Sequence, residues 1–344
     1  GSSIVHLIKA LTLASIGLRV VVLEQKQSLG GVWSTIDTLG LRNVERAPHI
    51  LMPTARAYKL IENVLETKMS EITPHPIALR VDANCAVITE SQFPSSSETR
   101  HPDVFYEGPC KHPTNGTNAL IERLFSLGRA MGIQFRSDIH VHSLRIDNDQ
   151  KTTLISKSQE FSAHQVIFSR GSPILQIHSG QSRIVPHRSS NNVSIHLLIK
   201  ASSSHAFSFV HIDEHPLIKE VHDITAHTPG LELGHRLIIV KLLNNIFNIA
   251  PLPILDAQAI FADLKKIGLL GAKDVLLNST TTGYAQTRIL ESCLGDLERE
   301  FGHLIDIVPF KLLHEGKTRG DLVAQDMSVV LSPPEFYESL LRLP

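Results

Sequence analysis

Apolar residues recur along this chain at two spacings, and the switches between them mark out its elements. At Ile4, Leu7, Ile8 and Leu11 the interval is helical, which predicts a helix over Ile4–Ser15. Gly17 follows at a place where a helix closes through a left-handed residue. The next segment, Leu18–Leu23, holds Val20, Val21 and Val22 in an unbroken β-branched run, the pattern of a strand buried on both faces. Glu24 ends it. Helix, tight turn, buried strand and acid make up the second half of a βαβ crossover, with Arg19–Leu23 as a central strand and the first strand expected just before Gly1.

Helical spacing returns at Ala55–Glu66 (Tyr58, Ile61, Leu65) and at Asn118–Met131 (Leu120, Leu124, Leu127, Met131). Between them, Ile72 to His112 reads as short strands around a polar loop at Pro94–His101. Strands are predicted at Ile133–Arg136, Val141–Ile146, Thr152–Ser156 and Gln165–Ser169, the last in one sheet system with Arg19–Leu23. After a Ser-rich connection at Gly180–Asn192 come strands at Ser194–Ala201, Ala206–Ile212 and Arg236–Leu243, then helices at Asp256–Ile267 and Ile289–Phe301.

Composition narrows the class. At 344 residues, with a hydrophobic share of 42% and a charged share of 19%, the chain suits a soluble globular protein of two domains, or one with an insertion. Lys+Arg number 33 against 34 Asp+Glu, which leaves no field to attract nucleic acid or anionic lipid, so neither is an expected partner. Cys85, Cys110 and Cys293 are far apart and form no CxxC pair, which speaks against a disulfide framework or a zinc site and for a reducing compartment. His6 and Lys9 interrupt the N-terminal apolar positions, and no apolar run reaches membrane-spanning length. A cytoplasmic protein is the expectation.

Among 19 histidines, His205, His211, His215, His222 and His227 fall close together. Their spacing is irregular and no acid sits at ligand spacing, so they predict the exposed face of a sheet and no metal site. Neither a Gly-x-Ser-x-Gly elbow nor a Cys–His pairing points to a hydrolase.

The chemistry lies at the N-terminus. A dinucleotide's pyrophosphate sits at a helix start, where unpaired N–H groups and the helix dipole favour negative charge. The turn before that helix ordinarily reads GxGxxG, with an acid about 20 residues on for the ribose. Here the stretch is Gly1-Ser2-Ser3-Ile4-Val5-His6, with Glu24 as the acid. Ser3 and His6 replace two glycines, which narrows both the pyrophosphate approach and the helix–strand contact.

Gly1, the helix, Gly17, Val20–Leu23, Glu24 and Leu29-Gly30-Gly31 together resemble the N-terminal segment of the amine-oxidase and protoporphyrinogen-oxidase-like FAD flavoproteins, the broad group that includes UDP-galactopyranose mutase. A second block resembles that family's middle segment: Pro113-Thr114-Asn115-Gly116, Leu120, Gly132-Ile133-Gln134-Phe135, Val141, Leu144 and Ala163–Ser169. The resemblance implies FAD as cofactor, Gly1 and Ser3 at the phosphate turn, Glu24 on the adenosine ribose and Gly30-Gly31 beside the pyrophosphate. It also implies the Val141 backbone at the adenine; Arg42, Glu45 and His49 either lie near flavin and substrate or belong to a solvated loop with a local Arg–Glu pair. Trp33 either faces the isoalloxazine or is an ordinary core aromatic. Val32 stands where the family often has Arg, and for the family's C-terminal flavin segment Arg319-Gly320-Asp321 and Gln325-Asp326 are the loose candidates.

The expected fold is therefore α/β: an FAD/NAD(P)-binding Rossmann-type domain with an inserted α+β substrate domain. Residues 1–54, 113–172 and a C-terminal portion would form the first, and residues 55–112 and 190–310 the second. The resemblance implies an FAD-dependent oxidoreductase acting on a small molecule, with catalytic residues and oligomeric state left open. The alternative is a degenerate flavoprotein fold that has lost FAD and serves as a binding or assembly subunit.

Overall fold

The computed structural model describes residues 1–46, 66, 68–72, 76–82, 84–92, 110–147, 151–169, 171–172, 174–202, 207–243 and 255–308. Helix α1 (Ile4–Ser15) leads into β1 (Val21–Leu23), a 3-10 turn (Gly31–Trp33), β2 (Thr35–Thr38) and β3 (Leu41–Glu45). Next come β4 (Met69–Ile72), β5 (Pro76–Val81), β6 (Val87–Gln92), β7 (Cys110–Pro113), α2 (Gly116–Ala130) and β8 (Gln134–Arg136). The strands β9 (Val141–Ile146), β10 (Thr152–Ser156), β11 (Glu160–Ala163), β12 (Val166–Ser169), β13 (Gln176–Ser179) and β14 (Gln181–Ile184) follow. A long β15 (His187–Lys200) precedes β16 (Phe209–Asp213), β17 (Ile218–Asp223) and β18 (His235–Leu242). The rest is α3 (Ala257–Lys266), β19 (Val275–Ile289), α4 (Glu291–Phe301) and β20 (Ile305–Val308). The helix expected at Ala55–Glu66 lies, apart from Glu66, outside the described residues, as do Pro94–His101, His49, His205, Arg319-Gly320-Asp321 and Gln325-Asp326.

α1 spans the predicted residues and buries the predicted stripe: Ile4, Leu7, Ile8 and Leu11 pack with α2 residues Leu120, Ile121 and Leu124, and with Val22 and Trp33. Its end is a Schellman closure, with Gly17 N donating to Ala14 O, Leu18 N to Leu13 O, and Gly17 at φ +84°. β1 runs parallel to β8 with Val22 opposite Phe135.

β1 is shorter than the expected strand Arg19–Leu23. It spans only Val21–Leu23, and among the described residues it pairs with β8 alone. Val21 is 42% exposed while Val22 is buried, so the Val run is covered on one face, not two. Among the described residues β12 pairs in parallel with β20, and not with β1 or β8.

The largest sheet has seven strands in the order β19-β15-β18-β17-β16-β5-β6. Ile195, Leu197 and Ile199 of β15, Ile238 and Val240 of β18 and Val210 of β16 form one continuous apolar face, on which α3 packs Ile260, Phe261 and Leu264. Asp256 caps α3 by accepting from Gln258 N at 2.9 Å. The Ser-rich stretch Gly180–Asn192 is not a loose connection: it holds β14 and the first part of β15. Its residues alternate too weakly in polarity to signal a strand, and pairing with β19 over His187–Asn192 makes one.

Candidate functional site

Three segments meet at the start of α1. Glu24, at the end of β1, is buried, and its carboxylate ties them together. Oε2 accepts from Ser2 N at 2.8 Å and Ser2 Oγ at 2.7 Å, and Oε1 accepts from Lys26 N at 3.0 Å. Ser2 Oγ in turn accepts from Gly30 N at 2.9 Å. Gly30 and Gly31 both have positive φ (+107° and +59°), and a Cβ on Gly31 would stand 3.4 Å from the N, Cα and Cβ atoms of Ser3. The Gly30-Gly31 loop therefore lies directly against the first residue of the helix turn, a cradle that a side chain would fill.

Ser3 is the N-cap residue of α1 but makes no side-chain cap bond. Its hydroxyl instead lies 2.8 Å from His6 Nδ1. His6 Nε2 is buried with no hydrogen-bond partner. Burial, reinforced by the Lys9 charge, pushes the His6 imidazole down to about 3, so the ring is neutral at physiological pH. Lys26 is also held below the usual lysine range, by partial burial and by the nearby Arg46, with Glu24 opposing.

The other predicted residues fall around this cradle or beyond it. Ile139 N donates to Glu24 O at 2.9 Å, which brings the β8–β9 connection, and Val141 two residues on, to the end of β1. Val141 itself is half-buried against the core that includes Leu144, Val166 and Ile177. Trp33 is buried among α1 and α2 residues, and its carbonyl accepts from Thr117 Oγ1 at 3.3 Å. Arg42 is exposed on β3. Glu45, at the end of the same strand, is buried: Oε1 lies 2.5 Å from His112 Nε2, and its carbonyl lies 2.9 Å from His196 Nε2 on β15.

That last contact connects the cradle to the large sheet. The registers place Thr282, Ser194, Lys241 and Glu220 in one row, and Thr280, His196, Ile239 and His222 in the next, all on the face opposite α3. β3, which follows the Gly30-Gly31 loop, covers part of this polar face through Val44 against Leu237 and Ile239. Glu220 is clamped by Lys241 Nζ at 2.9 Å and by His222 Nε2 at 3.3 Å. Burial pushes its carboxyl up, but the His222 hydrogen bond and the Lys241 charge outweigh it and hold the group well below the usual carboxylate range. Burial depresses His222 to about 4, with Lys241 adding to the effect and Glu220 resisting it.

The histidine cluster therefore departs from its expectation in two ways. His215 and His222 are buried rather than on an exposed face, and acids do lie beside them. His211 Nε2 is 3.1 Å from Asp213, and His215 Nε2 is 3.8 Å from Asp263 and 3.4 Å from Cys85 Sγ. The acid at His215 comes from α3 and the thiol from the β5–β6 turn, so no spacing along the sequence could show them. Cys85, His215 and Asp263 offer ligand atoms within 4.8 Å of one another. His215 Nδ1, however, accepts from Leu217 N at 3.1 Å and Ile218 N at 2.8 Å. That puts the ring proton on Nε2, where it donates to the Cys85 sulfur, with the Asp263 carboxylate 3.8 Å away as an electrostatic neighbour.

No protein-family model and no curated protein matches the sequence. Solved structures do match. A protein assigned as a protoporphyrinogen oxidase from Exiguobacterium sp. 255-15 aligns with a TM-score of 0.63 at 13% identity, covering 96% of this chain and 97% of its own. Reduced UDP-galactopyranose mutase aligns with a TM-score of 0.64 at 11% identity, over 96% of this chain and 93% of that one. Putrescine oxidase bound to putrescine gives 0.62 at 13% identity, over 96% and 97%. The chain has a mixed α/β fold similar to that of these proteins. No helix among the described residues is long and apolar enough to cross a membrane.

Proposed function

We propose that this protein is a flavin-dependent oxidoreductase of the amine-oxidase-like type, binding FAD at the start of α1 and acting on a small molecule. The observation that carries the reading is the junction of Ser2, Glu24 and Gly30 beside a helix N-terminus that has no side-chain cap. A carboxylate has about four acceptor positions, and Glu24 uses three, which leaves one for a ribose hydroxyl. The α1 amides and the side-chain-free Gly31 suit a pyrophosphate, so the residues fit the cofactor. Bound flavin supplies a two-electron acceptor. In this reading residues 1–54, 113–172 and a C-terminal portion hold the nucleotide, with Gly1 at the phosphate turn and Val141 toward the adenine, while the seven-stranded sheet belongs to the substrate domain.

The test is a titration of the purified protein with FAD, followed by flavin absorbance and fluorescence. Saturable binding with a perturbed flavin spectrum is the expected result; no binding sinks the reading. The second reading, a cofactor-free binding or assembly subunit, draws on the internal pairing of Ser2 Oγ, which occupies both Glu24 Oε2 and Gly30 N. It predicts no flavin uptake under the same titration.

A further inference from the structure

His6 stands where dinucleotide turns have a glycine, and its ring is not idle bulk. The 2.8 Å contact between Ser3 Oγ and His6 Nδ1 can be made in two ways. If Ser3 donates, the single ring proton sits on Nε2, which is buried with no acceptor. If Nδ1–H donates, Nε2 keeps only a bare lone pair and the Ser3 hydroxyl hydrogen is released. Among buried backbone groups an orphan N–H is rarer than an under-satisfied acceptor, and by the same preference the second arrangement is favoured. The released hydroxyl has no competing use, because Ser3 makes no cap bond to its own helix. Ser3 also lines the seam with the Gly31 loop, at the uncapped end of a helix of 12 residues.

We infer that Ser3 and His6 work as a pair: His6 Nδ1–H holds the Ser3 oxygen, and Ser3 O–H donates to an oxygen of a bound nucleotide diphosphate. The inference rests on the FAD reading above. His6 is then a positioning residue, and two changes that look like damage to the glycine turn make up for the lost backbone approach with a side-chain donor. A hydrogen bond to a charged oxygen is roughly twice as strong as a neutral one, which makes such an exchange sufficient.

Two measurements test it. Nitrogen-15 NMR of histidine-labelled protein, with the His6 signal assigned by its loss in His6→Gln, should show Nδ1 protonated; protonation at Nε2 overturns the pairing, whatever binds. Calorimetric titration with FAD should show Ser3→Ala weakening affinity about ten-fold or more. His6→Leu, which keeps bulk without a donor, should weaken it as well, while His6→Gln, which keeps an N–H, should restore much of the loss. Parent-like binding by Ser3→Ala overturns this inference alone. Tighter binding by a Ser3→Gly, His6→Gly double variant overturns it too, because the pair would then be an obstruction. Failure of the parent to bind FAD overturns both this inference and the reading beneath it.

Discussion

Glu24 holds three hydrogen bonds while almost wholly buried, and what it holds is backbone as much as side chain. Glu24→Ala would leave Ser2 N–H buried without an acceptor and release the Ser2 hydroxyl from its link to Gly30 N. An unsatisfied buried polar group costs about 1–3 kcal/mol, so we expect a loss of about 2–3 kcal/mol in urea unfolding. A loss below about 0.5 kcal/mol, the scale of ordinary surface changes, would mean that the junction does not form. Flavin retention should fall in the same variant. Glu24 was legible as an acid at ribose spacing from Gly1. Its grip on Ser2 was not, because hydroxyl and amide partners across 22 residues leave no pattern in the sequence.

At the scale of elements, α1 and α2 were readable because their apolar faces repeat at helical spacing, and each buries the stripe it shows. Close contacts between elements are a different matter. Gly128 of α2 has no room for a side chain: a Cβ there would sit 2.7 Å from Phe135 Cζ and 3.3 Å from Ile133 Cδ1. The Phe135 ring is itself held edge-on against Phe125 at 4.4 Å, so it cannot simply swing away. Gly128→Ala should therefore cost about 1–3 kcal/mol through overpacking. Gly295 of α4 is the control, since nothing lies within 4 Å of its added Cβ. There the same substitution should stabilise by up to about 1 kcal/mol through helix propensity. Equal thermal shifts in the two variants would contradict the α2–β8 contact.

For the molecule as a whole, buried histidines set the response to acid. His222 is depressed from 6.5 to about 4, so the unfolded chain takes up a proton across that interval while the folded protein does not. Stability is then full above pH 6.5 and falls as pH drops toward 4, by about 3 kcal/mol. His6, depressed to about 3, acts with the same sign over a wider window. Glu220, held below its ordinary value of 4.5, adds a further loss as pH falls below that value. Unfolding free energy measured from pH 7 to pH 4 should decline steadily, and His222→Gln should flatten the upper part of the slope. A profile that is flat between pH 6.5 and 5 would show that His222 is not buried neutral.

Local spacing by itself determined the helices at Ile4–Ser15, Gly116–Ala130 and Ala257–Lys266, most of the strand positions, and the turn before α1 with the acid that follows β1, because each depends on neighbours within a few residues or on one short unit. Tertiary structure alone decided the rest. Strand order is invisible to periodicity, so the pairing of β1 with β8, that of β12 with β20 and the 15-residue β19 had no sequence signal. The same holds for the meeting of Glu45 with His112 and of His215 with Cys85 and Asp263, whose separations are 67, 130 and 48 residues. Side chains that distant meet only after sheets and helices have packed, since their contact energies depend on positions that no local pattern encodes.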